Sequence, residues 1–515
     1  MDSSFRTFKR EEALSDMHQL LRILTEAHPD PFRNLGSQVK FYTKVEEILS
    51  SLEETIDLSQ LNMIVMRIIA LLGDCHTQAT QLFAKSGKVW LEFKPIDKMI
   101  ILTGVYENKF SSLIGHKLLA VNGIPVEELI SKMLEIRAAN GIYNKLLVLS
   151  YALKETYFIS LLTGKSTGDM KEIIFTLISL EDNSIHEIAI PNDNIFEQKP
   201  PGKLIEHDSL HFSFSSKSDI SYKIIEDMIG YLRIDSMTKY RESYESLLKS
   251  GASESFLREM FGDAGFELHG EIDKILSEVP SASEAIVDLL QKMHARGVKD
   301  LIVDLTNNTG GNSYLDNILT YFLYGDKVTE IDKGYDIEMH SSWYKKQYNP
   351  GENEENLDGY SFAEMHKWVS GKRGMSAEEW KREVNLSSTF AEYVEKYKLI
   401  VGINVYVLCS PLTFNAGFDL LDMLKRCGAT IIGIPPSQPA NAFTNVIGFS
   451  LDNSGIKGQV STKLMLKYPD KEIFYNVEPD IIIGIESFKK NRWDKNTILL
   501  ETLEMIGRGK HNRGR

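Results

Sequence analysis

The chain has 515 residues, too many for one ordinary hydrophobic core, so two to four domains are expected. It is 43% hydrophobic and 25% charged, a globular balance, and 58 Lys plus Arg against 72 Asp plus Glu leave a formal net charge of −14. That field repels phosphate backbones and argues against a nucleic-acid partner.

Three cysteines, Cys75, Cys409 and Cys427, make no disulfide framework and fit a reducing compartment. The opening MDSSFRTFKREEALSDM lacks the apolar core of a secretory signal, and no apolar run reaches the roughly 18 residues of a spanning helix. The expectation is a soluble cytoplasmic protein, or an extracytoplasmic one if a signal has been removed.

In chain order, Leu14, Met17, Leu20, Leu21 and Leu24 recur at helical spacing, HPDPF (28–32) breaks the pattern, and LSQLNMIVMRIIALLG (58–73) is a second apolar helix. Strand-like segments follow at 88–93, 99–106 and 116–123. Asn122-Gly123 marks a tight turn before the helix VEELISKMLEI. EQKPPGK (197–203) reads as a linker. Beyond residue 220, buried strands alternate with helices: IGYLRID (229–235), LIVDLT (301–306), LDNILTYFLY (315–324), LIVGINVYVLCS (399–410), FDLLDMLKRCG (418–428) and ATIIGI (429–434). This pattern predicts an α/β layer with a largely parallel sheet. Residues 335–398, with Trp343, Trp368 and Trp380, read as a charged, helical insertion.

Three local features could carry chemistry. In LLGDCHTQAT (71–80), His76 could take and return a proton near neutral pH, although a single histidine is ordinarily structural. In VDLTNNTGGNS (303–313), paired glycines permit a tight turn whose N–H groups face an anion, or simply join a strand to a helix. In SPLTFNAGFDLLDML (410–424), a strand breaks into an amphipathic helix, and the N-terminal dipole there favours developing negative charge. Asn415 at its tip is also well suited to capping that helix.

Together and in this order, these features resemble the tail-specific (C-terminal-processing) serine peptidases, in particular their tricorn-core-like branch. The similar segments are Gly73-Asp74-Cys75-His76-Thr77, LIGHKLLAVNGIPVEELI (113–130), IGYLRIDSM (229–237), VDLTNNTGGN, VYVLCSPLTFNAGFDLLDMLKRCGATIIGIP, FSLDNSGIKGQVSTKLMLKYPD (449–470) and NVEPDIIIG (476–484). The resemblance implies an α/β fold with a crotonase/ClpP-like peptidase core, a PDZ-like domain and a helical N-terminal segment. The corresponding boundaries are 1–84 for the helical segment with the His motif, 85–200 for the PDZ-like domain, and 201–515 for the core with its insertion.

Carried over position by position, the resemblance implies His76 as general base and Cys75 at the place of an orienting hydroxyl. It implies Gly310 and Gly311 as the oxyanion loop, Asp304 and Asn308 as its supports, and Glu478 as an acidic partner. Asn415 stands where the family carries its nucleophilic serine. A Ser–Lys dyad is disfavoured because SQPANAFTN (437–445) contains no lysine. Thr306 and Ile434 depart from the family's usual Arg and Glu.

An amide nitrogen delocalised into its carbonyl is no useful acyl acceptor, so a serine-peptidase-type hydrolase impaired or inactive at Asn415 is expected. Four alternatives stay open. They are a non-catalytic peptide-binding module, an active peptidase altered at position 415, attack by Ser410 or Thr413 instead, and crotonase-like chemistry on a thioester. The expected partner is a peptide or unfolded polypeptide, with a free C-terminus as one candidate for strand addition. No cofactor is expected, and no metal, because no second His lies at ligand spacing from His76. Oligomeric state is not legible.

Overall fold

The computed structural model describes residues 6–80, 87–165, 170–191, 199–212, 218–263, 265–266, 270–332, 334–339, 360–361, 367–372, 374–397 and 402–513. They gather into two compact units. The first comprises Met1–Glu206, Gly334–Gly371 and Pro439–Tyr475; the second comprises His207–Lys333, Lys372–Gln438 and Asn476–Arg515.

The first unit opens with the helices Arg10–Ala27, Gln38–Leu49 and Leu58–Ala70. Ala13, Met17, Leu20 and Leu24 put one face of the first helix inside. The third begins with a reciprocal capping box: Asp57 accepts from Gln60 N at 2.8 Å, and Gln60 Oε1 accepts from Asp57 N at 3.1 Å. Their core includes Leu451, Ile456 and Val460 from far downstream, which ties 439–475 to this unit. Val460 belongs to, and Leu451 and Ile456 lie in the turn joining, an antiparallel pair, Asn441–Ser450 and Lys457–Leu466. The short strand Gln78–Ala79, just after His76, pairs with the second of these at Gly458 and Gln459.

A separate antiparallel sheet in this unit runs Leu91–Ile96, Met99–Val105, Lys117–Val121, Glu172–Ile178, Ile185–Pro191 in spatial order. Glu172–Ile178 alternates buried and less buried positions, the mark of a sheet with one face covered. Asn122 and Gly123 both have positive φ (49° and 80°), the tight turn that their sequence predicts. The helices Val126–Leu134, Gly141–Ala152 and Thr156–Thr163 lie between the third and fourth strands in sequence.

The second unit is built on a six-stranded sheet ordered Ile220–Ile225, Ile229–Ile234, Asp300–Asp304, Asn404–Cys409, Thr430–Gly433, Ile481–Ile482. Only the first pair is antiparallel; every later neighbour is parallel. Every residue of Asp300–Asp304 is buried, as expected of a central parallel strand covered on both faces. The helices Ala282–Ala295, Tyr314–Tyr324 and Ala416–Arg426 lie between successive strands. The mixed α/β reading, with a largely parallel sheet beyond residue 220, therefore describes this unit.

The stretch 335–398 is not one helical insertion. Its described first part is extended: Gly334–Met339 pairs with Lys457–Leu466 in the first unit, and Tyr360–Ser361 and Lys367–Lys372 continue the same sheet. Charge hid the alternation. Asp336 and Glu338 point to one buried side of the strand, where Lys463 on the neighbouring strand reaches them at 3.6 and 2.7 Å. Among the described residues of this stretch, helices appear only at Ala377–Val384 and Ser388–Lys396, in the second unit. There Trp380 packs on Tyr321 and Phe390, with ring centroids 5.4 and 6.2 Å away. Trp343 and the first two residues of the 197–203 linker lie outside the described residues. Among the described residues, no helix is long and apolar enough to cross a membrane.

Candidate active site

In the second unit the strand Asn404–Cys409 ends in a turn held by two hydroxyls. Thr413 Oγ1 accepts from Ser410 N at 3.0 Å and donates to Leu305 O at 2.8 Å. Ser410 Oγ donates to Thr306 O at 2.5 Å and accepts from Leu412 N at 3.0 Å. Both alternative nucleophiles are thus spent on holding this turn against the neighbouring loop.

Asn415 follows with φ 52° and ψ −130°, immediately before the helix Ala416–Arg426. A non-glycine residue held there costs about 1–3 kcal/mol, and such strain concentrates at functional turns. Its side chain makes no capping hydrogen bond, so the helix-cap reading does not describe it. Instead its backbone is clamped. Its N–H donates to Gln438 Oε1 at 2.9 Å, and its carbonyl accepts from Phe418 N at 2.9 Å and Asp419 N at 3.0 Å.

The loop after Asp300–Asp304 packs directly against this turn. Asn308 is fully buried and joins three segments: its Nδ2 donates to Ile234 O at 3.1 Å, its Oδ1 accepts from Gly310 N at 2.8 Å, and its carbonyl accepts from Phe414 N at 3.0 Å. Gly310 has φ 101°, and a Cβ there would lie 2.6 Å from Asn415 Cβ, so only glycine fits. Gly311 has φ 139°, and its Cβ would meet Met237 O at 2.4 Å. A Cβ at Gly417 would likewise lie 2.4 Å from Asn308 Oδ1.

The structure therefore brings Gly310, Asn308 and Asn415 together within one unit. It also changes one expectation: the Gly310 N–H is committed to Asn308 rather than presented to a ligand.

Asp304 supports the loop from beneath. Its Oδ1 accepts from Thr306 N at 2.9 Å and Thr306 Oγ1 at 2.6 Å, and its Oδ2 accepts from Tyr231 OH at 2.6 Å. Burial, and then the neighbouring Asp304 carboxylate, push the Tyr231 phenol far up. Thr306 thereby helps to shape the turn. Glu478 is not brought to Asn415. Its side chain is exposed, and its carbonyl lies 3.4 Å from Lys425 Nζ, at the opposite end of the Ala416–Arg426 helix. That helix is about 16 Å long at 1.5 Å per residue. Pro479-Asp480 leads from Glu478 into the Ile481–Ile482 strand beside Lys425 and Ile431.

In the first unit, His76 sits on a turn organised by Asp74, which sequence reasoning quoted without giving it a role. Asp74 is fully buried and accepts four hydrogen bonds: His76 N (2.9 Å), Thr77 N (3.0 Å), Thr77 Oγ1 (2.5 Å) and Ser461 Oγ (2.6 Å). His28 adds an ion contact, with Nε2 3.5 Å from Asp74 Oδ2. His28 Nδ1 accepts from Asp30 N at 3.2 Å, which puts the ring proton on the nitrogen facing Asp74. Burial alone would raise the Asp74 carboxyl. The His28 contact, the nearby imidazoles and the Ser461 hydroxyl outweigh it and hold that pKa well below the usual carboxylate range.

His76 Nδ1 lies 3.6 Å from Cys75 Sγ and 3.9 Å from Asp74 Oδ1. Burial, reinforced by the Asp74 charge, pushes the Cys75 thiol up, so it stays protonated. Asp74, Cys75 and His76 offer ligand atoms within 4.8 Å of one another. The carboxylate's four donors and the protonated thiol suit a hydrogen-bonded turn better than an ion cradle.

Residues 228–483, just under half of the chain, match the family model for peptidase family S41. The match spans Asp304, Asn308, Gly310, Gly311, Asn415 and Glu478, and leaves His76 outside it. Among solved structures, the chain is similar to that of mature CPAF, with a TM-score of 0.58 and 14% identity over 96% of this chain and 98% of that one. Mature CPAF complexed with lactacystin is similar at a TM-score of 0.57 and 14% identity, over 96% and 99%. At that identity the likeness concerns the fold. No curated protein sequence matches the chain. The coarse reading, a mixed α/β protein whose core carries the pattern of the S41 peptidases, is thus supported.

Proposed function

We propose that the chain is a serine-peptidase-type hydrolase of the tail-specific kind that acts on or binds polypeptides, with its hydrolytic step lost or impaired at Asn415. One observation carries the reading. The residue in the nucleophile's place keeps a strained backbone, φ 52° and ψ −130°, clamped against the Gly310 loop, although its own side chain gains no hydrogen bond from the helix. A mere helix cap needs none of that strain.

In this reading His76 is the general base. With its proton on Nδ1, beside Cys75 Sγ and Asp74, Nε2 is the proton acceptor. Cys75 and Asp74 orient the ring. Oxyanion stabilisation falls to the N–H groups of Gly311 and of Ala416, the first helical residue, whose N–H has no carbonyl within the helix to donate to. Asn308 and Asp304 position that loop. The chain's α/β core corresponds to the crotonase/ClpP-like core, and the antiparallel sheet of the first unit corresponds to the PDZ-like domain expected to receive an extended peptide.

Loss of the nucleophile alone costs roughly a millionfold in kcat where it has been measured in a serine peptidase. The protein is therefore expected to resist labelling by a fluorophosphonate, and Asn415→Ser to gain labelling that Asn415→Ser/His76→Ala loses. Lactacystin, found in complex with mature CPAF, is a second probe of the restored variant. Robust labelling of the unaltered chain overturns the inactive reading; if Ser410→Ala removes that labelling, attack by Ser410 replaces it. An inert but folded Asn415→Ser variant shows that more than one residue has been lost, and the chain then remains as a peptide-binding module.

A further inference from the structure

In the antiparallel sheet of the first unit, Leu118 and His186 both stand opposite Leu177, one on the strand to each side of it. Residues directly opposite, and residues two apart along a strand, share a face of the sheet. His116, two positions before Leu118, is therefore brought to the same face as His186. The two rings meet there, with centroids 5.0 Å apart and planes at 77°.

Each ring is fixed through one nitrogen. Ser184 Oγ donates its single proton to Asp182 Oδ1 at 2.7 Å, so at 2.8 Å from His186 Nε2 it can only accept. The His186 proton then sits on Nε2, and Nδ1 keeps its lone pair. On His116 the Leu113 carbonyl is the acceptor for a ring N–H, which leaves the other nitrogen bare. Burial first, and then His186, push the His116 pKa below its usual value despite that carbonyl and the carboxylates of Asp182 and Glu181, so the ring is neutral at pH 7. A metal-bound histidine is neutral and donates its second ring N–H to a carboxylate or a backbone carbonyl. Here a carbonyl serves His116, and a carboxylate relayed by Ser184 serves His186.

The spacing fits as well. An ion about 2.0–2.1 Å from each ring nitrogen, and so about 3.2 Å from each ring centre, puts two rings at a tetrahedral angle about 5.2 Å apart. We propose that His116 and His186 together bind a divalent late-transition-metal ion such as Zn²⁺, through the nitrogen that each ring leaves unprotonated, with water in the remaining positions. Ser184 is a positioning residue, because it acts on the ion only through His186. The inference does not rest on the chemistry at Asn415.

Calorimetric titration of the intact protein with Zn²⁺ tests it. Binding is expected, and His116→Gln and His186→Gln should each weaken it at least about tenfold, the lower end of what even an orienting partner is worth. Ser184→Ala should weaken it less than loss of either ring. Mg²⁺, which takes oxygen ligands, should not compete. On the unaltered protein, Zn²⁺ should shield His116 and His186 together from carbethoxylation mapped by mass spectrometry. No binding of Zn²⁺ overturns the proposal. So does binding that His76→Gln removes and the other two substitutions spare, which assigns the ion to the Asp74-Cys75-His76 turn. Equal reactivity of His116 and His186 with and without Zn²⁺ also overturns it, and that measurement holds even where a variant folds poorly.

Discussion

The turn at Asn415 and the turn at His76 are both built for rigidity, by opposite means. At His76 a single buried carboxylate gathers four donors and an imidazole, so the loop is held by charge and hydrogen bonding. At Asn415 no charge is spent. Backbone strain is held in place by glycines that permit close approach and by neutral amides, Asn308 and Gln438. The first turn should therefore be sensitive to pH and to loss of one side chain, the second to added volume.

The largest effect is expected at Asp74. Asp74→Ala leaves four donors without their acceptor and removes the anion that faces His28, so a loss of about 3–5 kcal/mol in urea unfolding is expected. The same carboxylate sets an acid limit. Its folded pKa lies below the unfolded value near 4, so its stabilisation is complete above that value and fades as pH falls toward the folded one. Stability measured downward from pH 5 should fall less steeply in Asp74→Asn than in the parent. Parallel acid limbs would show that Asp74 does not hold this turn by charge.

Next comes Gly310→Ala. A methyl at φ 101° is strained, and it would stand 2.6 Å from Asn415 Cβ with backbone on its other side. Strain and overlap together should cost about 2–4 kcal/mol. The same change at Gly297, also at positive φ but facing open space, should cost less, because only the strain remains. Equal costs at the two positions would mean that the close approach of the loop to Asn415 carries no energy.

Gln438→Ala should follow, at about 1–2 kcal/mol, by leaving the Asn415 N–H without its acceptor. The strain at 415 would then be less firmly held, so hydrogen exchange at Asn415 should quicken more than at Phe418, which keeps its carbonyl partner.

These residues also show what a sequence can and cannot disclose. The Gly310-Gly311 pair and the strand-to-helix break at 410–424 were legible because positive φ and helical periodicity leave local marks. The sheet of the second unit was legible for the same reason: its buried strands are short apolar runs between helices. Gln438 and His28 left no mark, since each acts on a partner distant in sequence and neither lies in a patterned segment. Asp74 was visible as a residue but not as a hub, because Ser461 arrives from nearly 400 positions away. Which end of the Ala416–Arg426 helix Glu478 meets was not legible for a related reason: nearness to a recognisable Pro-Asp step does not say where the segment packs. Gly334–Met339 was misread because its buried Asp336 and Glu338 break the apolar alternation that marks a strand, and only Lys463 on the neighbouring strand explains them.

The smallest effect has the most informative sign. Asn415→Gly removes a side chain that caps nothing and lets the backbone adopt φ 52°, ψ −130° without the non-glycine penalty of about 1–3 kcal/mol. Glycine's greater freedom in the unfolded chain takes back about 0.4–1 kcal/mol. The net expectation is a gain of about 1 kcal/mol, read as a higher urea midpoint at unchanged slope. A stabilised variant would mean that the parent carries strain at this turn that folding does not require. A destabilised one would mean that the Asn415 side chain makes a stabilising contact of its own, and the strained turn would then be an ordinary piece of packing. The turn at His76 offers no such reversal, since substituting Asp74 disturbs a carboxylate that four donors share.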